Sequence, residues 1–84
     1  MSSGPAQLRS QIAAHKRRIS FLDRLIDRKF DHHDAMLAQV NYSKEYEAVF
    51  KAQLERTLSP LWDEIDELTE KIQKLKEELA ALGG

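Results

Sequence analysis

The residues best equipped for chemistry are the run Asp31-His32-His33-Asp34. Imidazole and carboxylate groups bind metals and carry protons, but side chains on a helix share a face only at spacings of i, i+3 or i+4. Here His32 has Met36 one turn onward, His33 falls into a series of apolar residues, and only Asp31 and Asp34 share a side. That spacing assembles no ligand set, so neither a metal nor another cofactor is expected. The chain has no cysteine, which removes thiolate chemistry and disulfide crosslinks together. There is no glycine-rich loop to cradle a phosphate, and the acids are strewn along charged faces instead of converging on a concave site. A non-enzymatic protein is the expectation.

The second candidate is electrostatic. Lys16, Arg17 and Arg18 form a basic cluster, continued by Arg24, Arg28 and Lys29, that could meet nucleic-acid phosphates or protein carboxylates. Residues 1–41 hold seven basic and four acidic side chains, and residues 42–84 hold six and ten. The formal net charge of -1 therefore conceals a positive first half and a negative second half. The acidic run Asp63-Glu64-Asp66-Glu67-Glu70 offers partners within the chain, and pairing of Lys16, Arg17 and Arg18 with Asp63, Asp66, Glu67 and Glu70 is expected. No aromatic residues are interleaved on the basic face, and the overall charge is close to zero, so nucleic-acid binding through the first half is the alternative reading and not the leading one.

Hydrophobic spacing supplies the elements that would hold these groups. Leu8, Ile12, His15, Ile19, Leu22, Ile26, Phe30, His33, Leu37 and Val40 recur at intervals of three and four, the period of one amphipathic helix. Pro5 suits its first position, where no N–H is needed. A second stripe runs through Tyr46, Phe50, Leu54, Leu58, Leu61, Ile65, Leu68, Ile72, Leu75, Leu79 and Leu82 and stops against Gly83-Gly84. From Leu58 onward it is a heptad in which Ile65 and Ile72 alternate with Leu68 and Leu75, as coiled-coil seams require.

Between the stripes lies Val40-Asn41-Tyr42-Ser43. Asn tolerates the left-handed conformation that ends a helix, and Ser is a preferred N-cap, so a tight reversal is expected over one uninterrupted helix. The predicted fold is an all-α antiparallel two-helix coiled-coil hairpin. Residues 1–5 form a disordered N-terminal segment, the arms span about 6–40 and 44–82, and the turn occupies 41–43. Ser59-Pro60-Leu61-Trp62-Asp63-Glu64 reads as a helix start, which predicts a kink or break near Ser59-Pro60. Reversal near Tyr42 sets residues whose numbers sum to about 84 level with each other, Ile12 with Ile72 and Ile26 with Leu58. Near the turn the stripes step by four, a stutter that unwinds the supercoil.

An 84-residue hairpin is short of core, since a domain this small buries only about 60% of its unfolded surface. Dimerisation into a four-helix bundle would supply the remainder. The candidate interface residues lie off the stripes: Phe21, Leu25 and Met36 to one side of the first helix, Val49 on the same outer side, and Trp62 on the opposite flank. His15 and His33 occupy seam positions, where protonation would be penalised, so association is expected to weaken below about pH 6. A bilayer span needs roughly 18 consecutive apolar residues, and the start carries no signal-peptide pattern, so a cytoplasmic protein with no membrane contact is expected. The function read from these features is a coiled-coil protein–protein interaction module, a small adaptor, scaffold or inhibitor acting as a homodimer. Besides nucleic-acid binding, a hairpin-tip probe of a larger machine, using Asn41 to Tyr46, is the other alternative.

Overall fold

In a computed structural model describing residues 4–83, the chain forms two long helices, α1 (Pro5–Gln39) and α2 (Lys44–Ala81), folded back on each other. Most of the segment expected to be disordered, residues 1–3, lies outside the described residues. Gly4 is the N-cap of α1, in extended backbone at φ -74° and ψ 166°, with Pro5 directly after it. The Gly4 carbonyl accepts a hydrogen bond from the Leu8 N–H at 3.0 Å, so the helix begins at Pro5.

The reversal is a complete Schellman closure. Tyr42 N–H donates to the Leu37 carbonyl at 2.8 Å, and Asn41 N–H to the Ala38 carbonyl at 3.2 Å. Asn41 takes the left-handed conformation expected of it, with φ 55°, and Tyr42 takes it as well, also at 55°. A non-glycine residue in that region costs roughly 1–2 kcal/mol, so two in succession are held by the hydrogen bonds around them. Ser43 stands at the N-cap of α2, but its hydroxyl makes no capping bond. Its carbonyl does accept the Glu47 N–H at 2.9 Å, so the backbone starts α2 without the side chain.

The kink signal at Ser59-Pro60 does not divide the second arm. α2 runs unbroken for 38 residues with Pro60 inside it. A proline here removes the bond to the Arg56 carbonyl. Pro60 and Arg56 are both exposed, which leaves that carbonyl open to water, while Leu58, buried beside them at 1% exposure, ties the segment to α1. One turn before the proline, the Thr57 hydroxyl donates to the Gln53 carbonyl at 3.0 Å. Local helix-start chemistry is thus overridden by the seam.

The core is that seam. Among the described residues, Leu8, Ile12, Leu22, Ile26 and Leu37 from α1 and Leu58, Leu68 and Ile72 from α2 are buried, and no polar side chain is buried with them. Ile12 with Ile72, and Ile26 with Leu58, are level pairs in the expected register and are buried on both sides. Toward the turn the seam opens: in α2 no residue before Leu58 is buried, and Phe30 and Tyr46, assigned to the stripes by spacing, are 41% and 50% exposed. Leu82, at the far end, is also exposed. The four-residue steps account for this, since each adds about 400° of rotation and drifts the stripe off the contact line. The result is a rod of 57 × 18 × 15 Å.

Two substitutions test this account by denaturant unfolding at one protein concentration. Leu58→Ala should cost about 2–5 kcal/mol as a cavity in the seam. Pro60→Ala should gain about 2–3 kcal/mol, because alanine restores the missing backbone bond inside a continuous helix. A loss of stability in Pro60→Ala would show that the proline starts a separate helix.

Candidate interaction surface

Helix geometry sorts the side chains around each arm. At about 100° per residue, Ala14, Arg18, Phe21, Leu25, His32 and Met36 form a second stripe on α1, turned roughly 100° from the seam. On α2, Val49, Gln53, Pro60 and Glu64 lie on the flank that adjoins it. One ion pair fastens the two: Arg18 Nε donates to Glu64 Oε2 at 2.6 Å and Arg18 Nη2 to Glu64 Oε1 at 3.2 Å. This bidentate bond raises the pKa of Arg18 and lowers that of Glu64, the side-chain hydrogen bond being the largest cause in both. The side chains remain 49% and 36% exposed, so the pair marks register more than it stabilises.

The cluster-to-cluster pairing read from sequence reduces to this one contact, and its acid is Glu64 instead of Asp63, Asp66, Glu67 or Glu70. Lys16 turns toward the other flank and Arg17 to the back of α1, while Asp63 and Asp66 point away from α1. Among the described residues Lys16, Arg17, Asp63, Asp66 and Glu67 make no ion pair, and Glu70 meets Lys74 of its own helix at 3.9 Å. Arg24 and Arg28, the other members of the basic series, are exposed on the outer face of α1.

The apolar candidates divide in two. Phe21 and Val49 are exposed at 47% and 52%, and Leu25 and Met36 are half-buried, all on the flank of the ion pair. The Arg18 guanidinium sits over the Phe21 ring, 5.2 Å from its centroid. Trp62 is separate from them: it borders an open depression with Ala52, Glu55, Arg56 and Ser59 on the other side of α2.

Where the seam opens, the same flank holds a cleft of about 280 Å³ lined by Lys29, His32, His33, Met36, Phe50, Gln53, Leu54 and Thr57. Residue spacing gives no direct sign of it, because it arises from the stutter in both arms at once. The Phe50 ring is packed against that of Tyr46, with centroids 5.9 Å apart. His33 is half-buried in the seam, as is His15 further down, and His32 is exposed. Among the described residues no three His, Asp and Glu side chains gather as a metal site would need, and no helix is long and apolar enough to cross a membrane.

No protein-family model, curated protein or solved structure matches the chain. The fold and its exposed faces carry the functional reading.

The ion pair has a pH signature. A carboxylate whose folded pKa lies below its ordinary value of 4.5 contributes stability above that pH and loses it as the pH falls further. Glu64→Gln should be slightly less stable than the parent at pH 7, and the two unfolding curves should converge as the solution is acidified below about pH 4. An unchanged gap across that range would remove the pair from the account.

Proposed function

We propose that the protein is a non-enzymatic coiled-coil interaction module that self-associates through the flank bearing Phe21, Leu25, Met36 and Val49. In that form it acts as a small adaptor, scaffold or inhibitor, presenting helix faces to a protein partner. The observation that carries this reading is the concentration of apolar side chains outside the seam on one flank. Four lie there, in the mixture of aromatic, Met and aliphatic groups found at interface centres, against Trp62 on the opposite flank. Its heptad half, Ile65-Leu68-Ile72-Leu75, gives the hairpin a stiff base on which such a flank can be displayed.

Surface area supports the same reading. The chain exposes 6334 Å², whereas a compact monomer of 9.7 kDa exposes about 5,100 Å². Its radius of gyration is 18.6 Å against about 12 Å for a compact domain of this length. Two thin hairpins laid flank to flank recover the proportions of an ordinary four-helix domain.

Light scattering on the parent and on a Phe21→Asp, Leu25→Asp double variant tests the proposal. The parent should have twice the chain mass, and the variant the mass of one chain with a lower thermal midpoint. A parent with the mass of one chain, or a variant with undiminished mass, overturns it.

A further inference from the structure

The flank is matched across the two arms, height by height. Arg18 of α1 meets Glu64 of α2, so residues whose numbers sum to a little over 80 stand level on the rod. On that scale Leu25 is level with Pro60, Lys29 lies between Gln53 and Thr57, and Met36 is level with Val49. These side chains turn from their own seams toward the flank, Leu25 and Pro60 each by roughly 100°. Charged groups therefore share one height, apolar groups share two others, and a lysine shares its height with neutral hydrogen-bonding side chains.

We infer that two copies pack flank to flank in parallel, about a two-fold axis running along the rod, with both turns at the same end. This rests on the self-association proposed above and specifies its seating. Such an axis leaves every height unchanged and lays α1 of each copy on α2 of the other, so groups that are level within a chain also meet between chains. Leu25 then packs on the partner's Pro60, which has no N–H to leave unpaired, and Met36 on the partner's Val49. Lys29 reaches the partner's Gln53 and Thr57, whose side-chain oxygens accept from its amine. Each contact is made twice, as an isologous interface requires. The two clefts lie at one height and face each other across the axis, so each copy closes the opening of the other.

Charge selects the same axis. On the flank α1 presents Arg18, Lys29 and His32 and no carboxylate, because Asp23, Asp27, Asp31 and Asp34 turn to its other faces. In the parallel seating Arg18 and Glu64 of the two copies form a ring of four in alternating sign. The 49% and 36% of these side chains left exposed within one chain is surface open to that second partner. A two-fold across the helices at Leu25 would instead lay α1 on α1 and set Arg18 level with the partner's His32, where no carboxylate is offered. The area suffices: a stable dimer buries about 800 Å² per partner, less than the roughly 1,200 Å² by which this chain exceeds a compact monomer.

The absence of native cysteine permits single spin labels to read the direction of packing. Ala6→Cys and Ala38→Cys place a label near either end of α1, both exposed and away from the flank. The parallel seating predicts like separations between the two copies at both sites, each about 20–30 Å. In any antiparallel seating the two separations add to about 96 Å or more, whatever the position of the axis. Arg18→Glu and Glu64→Arg provide a second reading by sedimentation. Each homodimer gathers four like charges, and an equimolar mixture should form a mixed dimer about tenfold tighter than either. Repulsion inside each chain is the same in mixed and unmixed dimers, so the gain reports contacts between copies. In a dimeric parent, separations that differ as an antiparallel pair requires, or a mixture without preference, overturn the parallel seating and leave self-association standing. A monomeric parent overturns both.

Discussion

Two helices have only one line of contact, and every other property of this molecule follows from that limit. The seam buries eight aliphatic side chains and no polar group, which suffices to hold two arms together and to exclude water from little else. Arms of 35 and 38 residues rest on this one line of contact. The conspicuous local irregularities are a left-handed tyrosine, held by the hydrogen bonds of the turn, and a proline inside a helix, close to the buried Leu58.

The same limit explains the division along the rod. Where heptad spacing persists, from Leu58 toward the open end, the stripes of both arms stay on the contact line and Leu68 and Ile72 close over. Where the spacing relaxes to fours, the stripes rotate away, Phe30 and Tyr46 are turned outward, and a cleft appears between arms that are still antiparallel. The Arg18–Glu64 pair sits in the regular half, at the edge of the seam, where both side chains lie near enough to meet. Charges one position further round the helix, such as Arg17 and Asp63, are left in water.

Helix content, the reversal and the level pairs of the seam are readable in the sequence because each depends on period and on one residue's backbone preference. The three- and four-residue intervals locate α1 and α2 to within a residue or two, and Asn41 marks the turn by its tolerance of positive φ. Ser59-Pro60 is legible only in part: its local cues allow a kink or a break, and α2 runs unbroken through them beside the buried Leu58. The flank of Phe21, Leu25, Met36 and Val49 follows from a helical wheel. Its cleft does not, because a recess depends on how two drifting stripes combine, and the choice of Glu64 over its acidic neighbours depends on side-chain direction at the seam edge.

A hairpin completed by a second copy and a hairpin sufficient in itself differ most directly in how stability depends on concentration. If folding and association are coupled, mass action makes the thermal midpoint rise with protein concentration. Circular dichroism melting across a hundredfold range of concentration should show an increase of roughly 5–10 °C, together with one cooperative transition. A midpoint independent of concentration would contradict the central claim, because it would mean that the single seam alone stabilises the fold.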